Sequence, residues 1–208
     1  MWLLPLALPL GLLAGWLAGG DWRRIARYRL HWWGLLAVAL VIGLIVGLNP
    51  DAFAGGLLLF VSLATYLAVA LRNLHIVGMG VVAVGIMANL VPVLVNGHMP
   101  VRPEAIVQAE LADADSYVHV QLGTGRELVD DGDHLTWLGP VVPVSLVNEV
   151  FSWGDLIVMA GLLDVGFRAV KPRSVRPVRK VPKHAANRLP RLLRREANDE
   201  PLVVVPTG

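Results

Sequence analysis

The chain has 208 residues, 55% of them hydrophobic, a mean hydropathy of +0.60 and a formal net charge of +2. That apolar share exceeds the roughly 45–50% of soluble domains, and the absence of cysteine excludes disulfides, thiolate metal sites and cysteine nucleophiles. The apolar residues concentrate in 1–95 and 154–170, whereas 96–153 and 171–208 read as ordinary polar protein, so a membrane part with two soluble appendages is expected.

Met1 to Gly19 carries no charge and matches the roughly 20 residues that a hydrocarbon core of about 30 Å requires. It lacks the basic start of a secretory signal and is read as a first span, not a cleaved leader. A linker with Arg23, Arg24, Arg27 and Arg29 follows, then a second apolar run from Trp32 to Leu48 that ends at the turn Asn49-Pro50-Asp51. A third run extends from about Ala52 to Leu71, and Arg72, Asn73 and His75 mark the next turn. The fourth, about Leu74 to Val95, contains Asn89 and Pro92. Asn89 in such a helix ordinarily hydrogen-bonds to a neighbouring helix, and Pro92 removes one backbone donor.

Gly11, Gly15 and Gly19 in the first run, and Gly43 and Gly47 in the second, recur at spacing four. This small-xxx-small pattern lets backbones approach closely, and packing of the first helix on the second is expected ahead of a homodimer.

Segment 96–153 is acidic, with nine Asp and Glu residues against Arg102 and Arg126. Asn96-Gly97-His98-Met99-Pro100 is a helix stop, since Asn-Gly tolerates positive φ and Pro100 restricts Met99 to extended conformations. A ligand contact at that helix mouth is the sharper alternative. Val118, Val120 and Leu122 alternate with polar residues, which predicts a small ribbon pairing with Leu135 to Leu138. His98, His119 and His134 accompany Asp130, Asp131 and Asp133 without the spacing of a known metal loop, so a solvated turn is expected and no metal.

Ser152-Trp153-Gly154-Asp155 precedes the fifth run, Leu156 to Val170, and reads as a capping box. The Ser152 hydroxyl would accept from the amide of Asp155, whose carboxylate sits at the positive end of the helix dipole. Starting the helix near Ser152 gives it a full crossing. Asp164 is the one carboxylate well inside an apolar run, which raises a proton or ion pathway, but Arg168 lies four residues on and can pair with it.

From Arg168 onward eleven basic residues face Glu196, Asp199 and Glu200. The tail 171–208 is expected to be largely disordered and drawn to anionic lipid, with a short amphipathic helix around Leu189 to Arg195. No aromatic residues interleave with its cations, which argues against nucleic acid. An outside N-terminus puts 16 of the 18 basic residues on the cytoplasmic side. Trp2, Trp137 and Trp153 then fall near the outer face, and Trp22, Tyr28, Trp32 and Trp33 near the inner one.

The runs VNGHMPV, YVH, HLTWLG, VVPV and FSWGDLIVMAG, together with the Gly19-Gly20 pair before the arginine-rich linker, resemble the DUF5317 family of bacterial membrane proteins. His98 replaces the family's more usual second glycine, and Pro140 stands where an acidic residue often follows Leu-Gly. The resemblance implies an architecture of several hydrophobic helices around an extracytoplasmic segment, and it implies no activity.

The expected fold is thus an all-α membrane protein of about five transmembrane helices, in a bacterial cytoplasmic membrane. Four helices in 1–95 are followed by an α/β-like or irregular outer segment 96–153, a fifth helix 154–170 and a cytoplasmic tail. The absence of a nucleophile and base pair, metal signature or cofactor motif points to a noncatalytic accessory or scaffold subunit contacting other membrane subunits. A small transporter or channel using Asp164 and Asn89 is the alternative.

Overall fold

The computed structural model describes residues 4–27, 29–47, 55–113, 116–120, 122–123 and 125–171. The turn at Asn49-Pro50-Asp51 and the tail beyond Lys171 lie outside the described residues. About 65% of the described residues are helical.

A 3-10 turn, Leu4–Leu6, leads into α1, Ala7–Leu17, and a second, Trp22–Arg27, follows it. Then come α2, Trp33–Gly47, α3, Gly55–Arg72, and α4, Met79–Asn96. Two of these helices, α3 and α4, are long and apolar enough to cross a membrane by length and composition. The outer segment contains β1, Met99–Val101, α5, Pro103–Gln108, β2, Arg126–Leu128, β3, Pro140–Val144, and β4, Glu149–Ser152. The last helix, α6, spans Trp153–Val170; its 18 residues include Asp155, Asp164 and Arg168.

The helices form a row in which α1 packs on α6, α6 on α4, α4 on α3 and α3 on α2. Expected packing of the first helix on the second is therefore corrected: the close partner of α1 is the last helix. A Cβ on Gly11 would collide with the Leu163 carbonyl, and one on Gly15 would reach the Phe167 carbonyl at 2.5 Å. Gly166 returns the approach from α6, where a Cβ would meet the Leu8 carbonyl at 2.5 Å. Both helices thus expose backbone at their crossing, which maximises dispersion contact between them.

Gly19 does not share this packing role. It has φ +88° with open space around its missing side chain. Its N–H donates to the Trp16 carbonyl at 2.8 Å and that of Gly20 to Gly15 at 3.0 Å, the two bonds of a Schellman stop. Gly43 and Gly47 lie on α2, with side-chain surroundings outside the described residues.

The fourth helix starts later than expected, at Met79, because Asn73–Gly78 forms a turn ending in a left-handed Gly78 at φ +96°. A Cβ there would approach the Gly161 carbonyl at 2.9 Å, so this turn also docks on α6. One core joins α3, α4 and α6 through Leu67, Ala70, Val82, Ala83, Ile86 and Val158.

The expected ribbon between 118–122 and 135–138 is replaced by two other pairings. β1 runs parallel to β2 with Pro100 opposite Glu127, and β3 runs antiparallel to β4 with Val142 opposite Phe151. Tyr117–His119 and Thr136–Leu138 are 3-10 turns instead. Alternation marked the segment as extended, but pairing was decided by tertiary anchoring: β1 continues directly from α4, and β4 runs directly into α6. Pro103 opens α5 at the position where a missing N–H costs nothing; α5 buries Ala105 and Ile106, and Ala105 clusters on Val150 of β4 with Ala109, the buried residue that follows the helix.

One end of the helix row is basic and the other acidic. At the basic end the Asp21 N–H donates to the Val170 carbonyl at 3.0 Å. There Asn73, fully buried, holds the backbone of His31 by two bonds: its Nδ2 donates to the His31 carbonyl at 2.9 Å and its Oδ1 accepts the His31 N–H at 2.8 Å. These contacts bring Arg23, Arg24, Arg72 and Lys171 to the same end as Arg168. The acidic outer segment occupies the other.

Candidate functional site

The α4–α6 crossing carries the densest buried polar cluster among the described residues. It begins with two glycines. A Cβ on Gly85 would meet the Gly154 carbonyl at 2.7 Å, and one on Gly154 would strike the Asn89 amide oxygen. With the backbones this close, Asn89, one helical turn beyond Gly85, reaches the first turn of α6.

Ser152 caps α6 as expected: its Oγ accepts the Asp155 N–H at 2.9 Å, and Asp155 Oδ2 accepts the Ser152 N–H at 3.0 Å. Asn89 closes the arrangement. Its Nδ2 donates to Asp155 Oδ1 at 2.8 Å, and its Oδ1 accepts from the Ser152 hydroxyl at 2.7 Å. Asn89, Ser152 and Asp155 are buried, at 6%, 0% and 3% exposure, so these four bonds substitute for water.

Arg126 on β2 joins the cluster electrostatically. Burial pushes its guanidinium below the ordinary arginine range, and the carboxylates of Asp155 and Glu149 oppose that shift. Arg126 and Glu149 also line a cavity of about 140 Å³ inside the outer segment, with Val101, Ile106, Asn148 and Val150.

A buried carboxylate beside a serine invites a catalytic reading, but the proton of Ser152 points to an amide oxygen and not to a base. A hydroxyl so placed is not activated for attack. The arrangement fixes the start of α6, the end of α4 and the strand that precedes α6 in one geometry.

A second cluster closes α4 at the same end. Gly97 at φ +79° ends the helix, its N–H on the Val93 carbonyl at 2.9 Å. Asn96 clamps the backbone of His134, donating from Nδ2 to its carbonyl and accepting its N–H, both at 2.9 Å. This repeats the Asn73–His31 clamp of the basic end. His98 Nε2 stands 3.1 Å from an Asp133 carboxylate oxygen, while its Nδ1 faces Glu127 at 3.8 Å. Met99 and Pro100 are buried on β1, where Pro100 backs onto Gly139. Asp133 also accepts the Asp130 N–H at 2.9 Å. Among the described residues no group of three metal-ligating side chains forms.

Asp164 and Arg168 pair within α6, Nε to Oδ1 at 2.6 Å, both partly exposed. They lie far along the helix from Asn89, so the residues named for a transport pathway are not brought together.

A family model described as a family of unknown function, DUF5317, matches residues 23–165. The chain belongs to the DUF5317 family. The matched span of this DUF5317 protein takes in Asn73, Asn89, the Asn96–Pro100 stop, Arg126, the Ser152–Asp155 cap and Asp164. It begins after Gly19-Gly20 and ends before Arg168. No curated protein and no solved structure matches the chain.

Sequence reading missed Arg126, treated only as one of two outer cations, and Asn73, treated only as a turn marker. It also missed the glycines of α4 and α6. Gly85 precedes Asn89 by four, and Gly154 precedes Gly161 by seven, spacings that place each pair on one helix face. Those spacings were the available signal.

Proposed function

We propose that this DUF5317 protein is a five-span protein of the bacterial cytoplasmic membrane that serves as a noncatalytic accessory or scaffold subunit. Its helical body holds the acidic outer segment on the extracytoplasmic side and sends the basic tail into the cytoplasm, toward anionic lipid. The observation that carries this reading is the closed Asn89–Ser152–Asp155 ring, which spends the buried polar groups of the α4–α6 crossing on binding the outer segment to the helices. Separation of a basic end from an acidic end supports the orientation, because cations are retained on the cytoplasmic side. α6 supports a span despite its charges, since Asp155 is capped and Asp164 is paired. That pairing also weighs against the transporter reading, which needs Asp164 and Asn89 available to a solute.

The absence of cysteine makes topology testable without background. In intact cells, Leu146→Cys, on a residue 92% exposed, should react with a membrane-impermeant maleimide, and Ala197→Cys only after permeabilisation. The reverse pattern would refute the orientation. For the role itself, mild-detergent purification should recover a stoichiometric membrane-protein partner, lost on disruption of the outer segment. Solute flux in vesicles containing the pure protein, abolished by Asp164→Asn with folding intact, would replace this reading with transport.

A further inference from the structure

We infer that the folded body carries its own binding site for the phosphate headgroup of an anionic phospholipid, at the seam between the end of α1 and the end of α6, separate from the tail. The inference rests on the membrane reading above. The Schellman stop at Gly19-Gly20 turns the chain sharply, and a Cβ on Gly20 would lie 2.7 Å from the Val170 carbonyl, so the two backbones touch. Asp21 donates its N–H to that carbonyl and accepts the Arg23 N–H at 3.0 Å, while the Arg24 N–H goes to the Asp21 carbonyl at 3.1 Å. This fixes the turn Trp22–Arg27 against α6 and gathers Arg23, Arg24 and Lys171, the residue after Val170, around one seam.

Two further observations point to a lipid. The Arg24 Nε is buried and meets no acceptor among the described residues, which leaves a charged donor group incompletely satisfied. At the same helix end the Trp16 and Trp22 rings lie 6.2 Å apart, 47% and 43% exposed. Paired amphipathic rings on the segment that carries Arg23 and Arg24 match the depth at which glycerol and phosphate meet, where tryptophan concentrates and arginine binds phosphate. An anionic headgroup would accept from Arg24 and Arg23 while its glycerol and first methylenes lie on the two indoles.

The test uses full-length protein in bilayers of phosphatidylcholine with added brominated phosphatidylglycerol or brominated phosphatidylcholine. Tryptophan fluorescence should be quenched more strongly by the brominated anionic lipid at equal mole fraction. Trp22→Phe should reduce that excess, and Arg24→Gln should weaken the preference about fivefold, the effect of one surface cation. Replacing the nine tail cations beyond Lys171 (Arg173, Arg176, Arg179, Lys180, Lys183, Arg188, Arg191, Arg194 and Arg195) with Gln should leave it in place. Equal quenching by both lipids overturns the site, as does loss of the preference in the tail variant but not in Arg24→Gln. Competition by inorganic phosphate alone, at concentrations matching the lipid, would assign the site to a free anion and overturn the lipid. Wild-type quenching needs no variant to fold, and protein that does not enter bilayers at all fails the membrane reading instead.

Discussion

The two flanks of α6 are held by different physics. Toward α4, at the acidic end, contact depends on a buried ring of four hydrogen bonds, two of them to the Asp155 carboxylate, laid over the Gly85–Gly154 approach. Toward α1, contact depends on backbone proximity at Gly11, Gly15 and Gly166, finished by one backbone bond from Asp21 to Val170. The polar flank is specific and intolerant, because removing any member strands a buried partner. The glycine flank is limited by sterics, and its tolerance depends on how far α1 can shift. The difference teaches that one helix can be aligned chemically by one neighbour and merely seated by another.

The largest expected effect breaks the polar flank. Asp155→Ala removes the acceptor for Asn89 Nδ2 and the Ser152 N–H and leaves Arg126 with one fewer compensating carboxylate. It should cost about 3–5 kcal/mol, read as a sharp fall in monodisperse yield and thermal midpoint in detergent. Near-wild-type stability would show that the ring is not what aligns α4 and α6. Gly15→Val at the other flank should cost about 1–3 kcal/mol by the same measurement, since α1 can move away from α6. If it proves worse than Asp155→Ala, the ranking of the two flanks is inverted.

Asn96→Ala sharpens the comparison away from α6. It frees the His134 backbone groups at an exposed site and should cost about 1 kcal/mol, with faster amide exchange confined to the outer segment. Smallest of all, Arg102→Gln should change stability by about 0.5 kcal/mol or less by the same measurement, because its 3.3 Å bond to the Thr136 hydroxyl is exposed on the outer segment.

The cap at Ser152 was legible because a capping box is local: four consecutive residues contain both donors and both acceptors. The stop at Asn96-Gly97 was legible for the same reason, since positive φ is a property of one residue. The third member of the ring was not, because Asn89 lies 63 residues before Ser152, and no local pattern states which helix it will face. The ribbon failed because Val118 and Thr136–Leu138 fall in 3-10 turns: alternation over five residues is too short a signal to fix extended backbone against tertiary anchoring.

From the sequence alone one could derive the apolar runs, the partition of charge between two ends, the starts and stops of most helices and the family. The family follows from the resemblance of its motifs, and the rest from short-range chemistry or from composition. Only the tertiary structure decided that α6 lies between α1 and α4, that Gly19 ends a helix while Gly11 and Gly15 pack one, and that Arg126 belongs to the buried cluster at the head of α6. Each is a choice of neighbour across tens of residues. Such choices are set by which backbones can approach closely and which buried polar groups can satisfy one another, and those conditions exist only once the chain has folded.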